Sequence, residues 1–251
     1  MTVRAIVRPC AVADVQAANV VAAPNVATAE PKAVAELGGN QEQDVAISIV
    51  LPTAQQIDTI VVGFASGATP PLGFWCGING PYERSLGTVA PLTTAIEGGR
   101  QHYILQLPAP FMVRYINLGH AAGLGRSQIG LFAAGLAFRP TWGGEWGGGI
   151  GLTDTGTATR RRDGGFGIDP GVSAAQMQWT FGDLSDGERQ QLFGMLKQRG
   201  ATTTPFLVIE GGDNGPSSTE EVHWGLFTRI EPYERQAPGM SRWSLRFEDW
   251  E

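Results

Sequence analysis

Gln176-Met177-Gln178-Trp179-Thr180-Phe181 alternates strictly, with Met177, Trp179 and Phe181 on one face and Gln176, Gln178 and Thr180 on the other. A period of two is the mark of a half-buried strand. After a turn at Gly182-Asp183, the run Ser185-Asp186-Gly187-Glu188 has the Ser-x-x-Glu spacing of a capping box. In that box Ser185 accepts from the Glu188 backbone N–H while Glu188 reaches back to the Ser185 N–H; losing such a cap costs about 1 kcal/mol. Leu192, Phe193 and Leu196 follow as an apolar stripe at helical spacing. Lys197 and Arg199 suit the negative end of the helix dipole, and Gly200 is placed to stop the helix in the left-handed conformation. Residues 205–209, 222–230 and 242–247 then read as strands, with Trp243, Leu245 and Phe247 facing inward. Residues 176–251 are therefore expected to form an α+β module, one helix packed on an antiparallel sheet.

Upstream the pattern changes to strands alone. Val45, Ile47, Ile49 and Leu51 alternate, Pro52 to Gln56 reads as a turn, and 57–64 resumes as strand. Residues 65–100 carry turn chemistry around the aromatic pair Phe74-Trp75. Residues 103–107 and 113–118 are two more strands divided by Pro108-Ala109-Pro110, and 129–138 is the last. Strands at this spacing, separated by turn signals with no helix between them, predict an all-β sandwich. Residues 1–43, rich in Ala and Val but interrupted by Asn19, Pro24, Asn25 and Pro31, read as extended segments leading into the first sheet. The organisation expected is thus a β-sandwich over 1–140, a Gly/Trp/Arg-rich connector over 141–175, and the α+β module over 176–251. The fold class is mainly β.

Composition narrows the function. The chain has 251 residues with 35 Gly and 16 Pro, and its 18 basic against 24 acidic side chains leave a net charge of −6. A mildly acidic surface lacks the positive field that nucleic acid requires. The two cysteines, Cys10 and Cys76, make no disulfide framework and no Cys-x-x-Cys metal spacing. No apolar run reaches the ~18 residues of a membrane helix, and the first residues lack the charged segment and apolar core of a secretory signal. A soluble protein made in the cytoplasm is expected.

No catalytic constellation emerges. His102, His120 and His223 are not at metal-ligand spacing, no Gly-x-Ser-x-Gly elbow or Walker A loop is present, and the C-terminal acids Glu248, Asp249 and Glu251 read as solvated. The expectation is no enzyme, no cofactor and no metal. Two clusters remain. Phe74, Trp75 and Tyr82 either plug the end of the sandwich or present rings to a sugar, whose C–H faces stack on aromatic faces. Trp142 and Trp146, in a glycine-rich segment, form either a linker or a subunit contact, and Arg160, Arg161 and Arg162 read as a solvated turn or a protein contact rather than a phosphate site; Trp and Arg dominate interface energetics.

The runs Asp44-Val45-Ala46-Ile47-Ser48-Ile49-Val50-Leu51, Ile57-Asp58-Thr59-Ile60-Val61-Val62-Gly63-Phe64, Val113-Arg114-Tyr115-Ile116-Asn117-Leu118 and Ile129-Gly130-Leu131-Phe132-Ala133-Ala134-Gly135 together resemble the galactose-binding-like, discoidin-type jelly rolls of bacteriophage tail proteins. The strand–helix–strand order of the C-terminal part, with Pro205-Phe206-Leu207-Val208-Ile209 after the helix, is similar to a module of siphophage-like minor and distal tail proteins. The resemblance implies a structural component at the distal end or baseplate of a tail, assembled in the host cytoplasm and carried in the virion. Its implied partners are copies of itself in a ring of six or three, and tail tube, tape-measure and baseplate proteins. The alternative is a carbohydrate-binding module that attaches a tail to host glycan; a glycan hydrolase is the weakest class.

Overall fold

The computed structural model describes residues 3–28, 30, 32–37, 45–67, 70–92, 94, 101–120, 127–145, 148–162, 164–198, 200, 202–212 and 215–250. The chain is mostly β, with antiparallel pairing and one α-helix among the described residues. It divides into two units, one of Arg4–Arg139 with Leu207–Val222 and one of chiefly Pro140–Phe206 with His223–Glu251.

The first unit is a jelly-roll-like β-sandwich. Its strands begin with β1 (Val3–Val7), β2 (Asp14–Ala18), β3 (Val20–Val21), β4 (Ala35–Leu37), β5 (Val45–Gly67) and β6 (Leu72–Gly77). They continue with β7 (Arg84–Val89), β8 (Gln101–His120), β9 (Ser127–Ile129), β10 (Leu131–Gly135) and β11 (Ala137–Phe138). The main sheet runs β3-β4-β9-β5-β8-β6-β7, with β2 and β10 also on β5.

Here the structure corrects the expected strand ends. The Pro52–Gln56 turn is a register shift between Val50 and Gln55 inside one 23-residue strand, β5. The Pro108-Ala109-Pro110 break is likewise a shift inside β8, where Ile57 pairs with Phe111 but Thr59 with Gln106. An irregularity tolerates proline because its N–H has no ladder partner to lose. Both long strands lend residues from either side of their bulges to one core, Ile47, Ile49 and Leu51 meeting Ile57, Ile60 and Val62 around Phe74, Tyr103 and Ile116. Conversely, the single strand expected over 129–138 is three pieces, β10 pairing with β5 and β11 with β1. The N-terminal segment is also more than a lead-in. Val3, Ala5, Ile6 and Val7 are fully buried, and β1 pairs with β11.

A polar clip holds that end. Asp58, 5% exposed, accepts through Oδ1 from the Ala137 N–H and the Thr59 hydroxyl, both at 2.9 Å. Its Oδ2 takes the Arg139 guanidinium, which also donates to Thr59 Oγ1 at 2.8 Å. The carboxylate is satisfied on both oxygens, which a buried charge requires.

The α+β unit contains β12 (Gly149–Asp154), β13 (Thr157–Arg160), β14 (Phe166–Asp169), β15 (Ser173–Ser185) and the helix α1 (Asp186–Lys197). After β16 (Phe206–Glu210), which from Leu207 groups with the sandwich as the neighbour of β1, come β17 (Val222–Ile230), β18 (Glu234–Ala237) and β19 (Met240–Asp249). Within the unit the order is β17-β19-β15-β12, with β18 on β19 and a separate β13–β14 hairpin.

Met177, Trp179 and Phe181 are buried, as the alternation predicts, and pair with Phe247, Leu245 and Trp243. Rings run through this core, with Trp179 to Phe247 at 5.7 Å and Phe247 to Phe227 at 5.3 Å between centroids. The capping box forms as read: Ser185 Oγ accepts from the Glu188 N–H, and Glu188 Oε2 accepts from the Ser185 N–H at 2.9 Å. Burial pushes the Glu188 carboxyl up, but bonds from the Ser185 hydroxyl and the Thr141 and Ser185 N–H groups outweigh it and lower its pKa to about 2. Leu192 and Leu196 are buried; Phe193 stays 46% exposed and lies 6.2 Å from the Trp243 ring. Gly200 is left-handed at φ 70°, and Gln198 is the C-cap. Arg199 lies outside the described residues.

Candidate functional site

The segment expected to be a connector contains β12, β13, β14 and the start of β15. β12 pairs along its length with the first half of β15, from Gly149 opposite Gln178 to Asp154 opposite Ser173. Directly opposed residues share a face, so Ile150 and Leu152 lie on the side of Met177 and Ala175, which is the core side of β15. Burial fades along that side. Met177 is 1% exposed, Ile150 already 55% and Leu152 81%. The core face of the sheet therefore runs on past the core it covers.

The chain between β12 and β15 forms the β13–β14 hairpin, pairing Ala158 with Ile168 and Arg160 with Phe166. Phe166 and Ile168, 62% and 75% exposed, share a face with Arg160. The tip is a turn in which Arg161 N–H donates to Gly165 O at 2.7 Å and Gly164 N–H to Arg161 O at 3.1 Å, Gly164 being left-handed. Arg160, Arg161 and Arg162 thus sit together, exposed, at the hairpin tip. Trp142 is exposed elsewhere in the same unit; Trp146 lies outside the described residues. Ile150, Leu152, Phe166, Ile168 and Val172 were not singled out from sequence, although Gly149-Ile150-Gly151-Leu152 and Gly165-Phe166-Gly167-Ile168 both alternate.

β12 is the outermost strand of its sheet and contains no Lys, Arg or Pro. Edge strands normally carry such residues to discourage pairing with another chain. The edge displays Ile150 and Leu152 before it ends in the exposed Asp154, and the hairpin that follows displays Phe166 and Ile168, a set of apolar side chains chemically suited to protein contact.

At the sandwich, Phe74 and Trp75 are not in a loop but in β6, between β7 and β8. Phe74 is fully buried in the core, which removes it from any ligand-facing surface. Trp75 points the other way, half-buried, with its ring 6.1 Å from that of the exposed Tyr82 in an edge-to-face pair. The loop bearing Tyr82 is tied by Glu83, whose carboxylate accepts from the Ile78 N–H at 2.9 Å and the Asn79 N–H at 2.8 Å. Those bonds, Ile78 first, hold the Glu83 carboxyl below its ordinary range. Cys76, behind Trp75, is a buried thiol whose pKa burial raises, against a smaller lowering by Arg84.

Sequence reading also passed over Asn117, on β8 opposite Trp75. It is 1% exposed, and neither its Nδ2 nor its Oδ1 has a hydrogen-bond partner among the described residues. A buried polar group left unsatisfied costs about 1–3 kcal/mol.

The three histidines fall in separate places. His102 Nδ1 accepts from the Phe64 N–H at 3.3 Å, and His223 Nδ1 is 2.9 Å from Asp249 Oδ2 in a buried pair at the end of β17 and β19. His120 is buried at the end of β8. Among the described residues no group of three or more His, Cys, Asp or Glu is arranged to hold a metal, and no helix is long and apolar enough to cross a membrane.

No protein-family model matches the chain, and no curated protein matches it. Among solved structures it is similar to CBM32-1 from a family 31 glycoside hydrolase from Clostridium perfringens, at TM-score 0.39 and 12% identity over 49% of this chain and 94% of that one. It is also similar to CpGH89CBM32-4 produced by Clostridium perfringens, at TM-score 0.34 and 10% identity over 48% of this chain and 93% of that one.

Proposed function

We propose that this protein is a non-catalytic assembly subunit that joins copies of itself through the arm of β12, β13 and β14. The observation that carries the reading is the edge strand β12 with Ile150 and Leu152 exposed on it, followed by a hairpin with Phe166 and Ile168 exposed. Closed cyclic symmetry is the common outcome for identical soluble subunits. Taken with the sequence resemblance to siphophage-like tail proteins, this favours a ring of six or three at the distal end or baseplate of a tail. Tail tube, tape-measure and baseplate proteins are its neighbours in that reading, and the virion its location. The test is to image tails from virions carrying Leu152→Asp with Ile168→Asp. Tail ends lacking the subunit are expected; full occupancy by the variant would overturn arm-mediated assembly. A complete, infectious tail without the protein would overturn the tail role.

A second reading rests on a different observation, the Trp75–Tyr82 ring pair carried on a strand and a tied loop. Rigid aromatic rings at the surface of a sandwich suit stacking on a sugar, so the same subunit is also proposed to attach to host glycan. Glycan-array binding that disappears in Trp75→Ala is the expected result, and an array with no binding by the wild type would dismiss it.

A further inference from the structure

We infer that Asn79 is a self-modifying site, converted to aspartate and isoaspartate within its own loop, with the Glu83 carboxylate as the acid–base group. The loop of residues 78–83 joins β6 to β7, and its sequence is Ile78-Asn79-Gly80-Pro81-Tyr82-Glu83. For this conversion the backbone nitrogen of the following residue must reach the Asn amide carbon, and a glycine there brings no Cβ to obstruct it. The fold itself does not require glycine at 80. Its φ is not left-handed, and a Cβ there would meet nothing within 4 Å. Asn79 is exposed, so water reaches it.

The Glu83 carboxylate is folded back onto this dipeptide. It accepts from the Ile78 N–H at 2.9 Å and the Asn79 N–H at 2.8 Å. Gly77 shows how closely the groups gather, because a Cβ there would run into both Gly80 O and the Glu83 carboxylate. After the Ile78 and Asn79 N–H groups, the Gly80 N–H and the Asn79 side-chain amide also help to hold the Glu83 carboxyl below its ordinary 4.5. It therefore stands ionised, as a base, at neutral pH. The other titratable groups at this place are the Cys76 thiol, Tyr82 and Arg84, whose guanidinium lies over the Phe111 ring at 4.9 Å. Nucleophile and leaving group thus face one proton carrier. Glu83 takes the proton from Gly80 N as that nitrogen bonds to Asn79 Cγ. The Cγ–Nδ2 bond then breaks, and Glu83 returns the proton to Nδ2, which leaves as ammonia. The succinimide so formed takes up water and opens at either carbonyl, giving aspartate or isoaspartate. Either product puts a second negative charge beside Glu83, and isoaspartate also adds a carbon to the backbone. Like charges at that range disfavour one another, so the carboxylate leaves the Ile78 and Asn79 N–H groups and the loop carrying Tyr82 is released.

The experiment ages the full-length protein in neutral buffer and follows the peptide containing Asn79 by mass spectrometry, with fragmentation that separates aspartate from isoaspartate. The mass gain of an amide becoming an acid is expected at Asn79, with isoaspartate among the products. Glu83→Gln should slow the reaction at least ~tenfold, a conservative share of the usual acid–base contribution. The wild-type rate should hold level from neutral pH down toward 4.5 and fall below it, as the carboxylate takes up its proton. In Glu83→Gln it should fall steadily from neutral pH, because hydroxide is then the base. Gly80→Ala should nearly stop the reaction with melting unchanged, since its Cβ meets nothing. In the modified protein the Ile78 and Asn79 amides should exchange hydrogen faster. An Asn79 that stays intact through prolonged ageing would overturn the inference. So would a Glu83→Gln variant that reacts as fast as wild type or faster, which would make the carboxylate a guard of the loop. Exchange unaltered by the modification would overturn the release of the loop.

Discussion

Replacing Leu152 and Ile168 by Asp should dissolve the assembly without touching the subunit's own fold. Leu152 is 81% exposed and Ile168 75%. Burying a Leu or Ile side chain stabilises by about 1.5–3 kcal/mol, and these two hold nearly all of that in reserve. Together they should contribute about 4 kcal/mol at each contact, or roughly a thousandfold in the association constant. The aspartates also put two charges into the contact, which adds to the loss. Sedimentation velocity over a concentration series should show wild-type mass rising toward a closed ring while the double variant stays at a single subunit. Thermal or urea unfolding of the two subunits should agree within about 0.5 kcal/mol, since neither side chain has a core contact to lose. Identical mass distributions for the two proteins would refute arm-mediated assembly. A large loss of stability in the variant would refute the premise that the two side chains are unpartnered within the subunit.

Trp243→Ala should cost about 3–5 kcal/mol by urea denaturation, because Trp243 is buried and its Nε1–H donates to Glu231 O at 2.6 Å; unchanged melting would mean the faces of β19 are misassigned. Asp58→Ala should cost about 3 kcal/mol, the low end for breaking a buried pair, because Arg139 is 38% exposed and can regain water; a double cycle with Arg139→Ala should show strong coupling. Glu188 gives a pH dependence. Its folded pKa of about 2 lies below the ordinary 4.5, so its stabilisation is complete above that ordinary value and is lost as pH falls toward 2. Urea midpoints of wild type and Glu188→Gln should therefore converge in acid, and a constant gap would contradict the capping role.

The α+β unit was legible because its signals are local. The alternation at 176–181 and the Ser185–Glu188 box each depend on residues within one strand or one helical turn, and both appear as read. The sandwich was legible in class but not in strand ends. Pro52, Pro108 and Pro110 mark a turn or a bulge with the same local chemistry, since each only withholds a backbone donor. Which of the two occurs depends on whether the partner strand continues alongside, and β5 and β8 continue beside one another through their irregularities. Burial of 3–7 was hidden for the same reason, because β1 pairs with residues 137–138, far along the chain.

The sites were harder still, and for different physical reasons. Gly149-Ile150-Gly151-Leu152 is a plain strand pattern, and alternation tells which side chains share a face without telling what covers it. Ile150 and Leu152 lie on the same side as Met177, yet only Met177 is buried, because the core ends between them. Their exposure is a property of where other strands stop. Asn117 is the sharper case. Nothing in Tyr115-Ile116-Asn117-Leu118 marks it, for an Asn at an outward strand position ordinarily bonds to water. Its amide becomes informative only when β5 and β6 flank β8 and its neighbours close over it, leaving a donor and an acceptor with no partner. Both candidate sites are thus mismatches between a residue's chemistry and its surroundings, apolar groups in water at the arm and a polar group out of water on the sandwich. Of the two, only the apolar groups at the arm lie exposed, so only there can a second molecule cover the mismatch without the subunit opening.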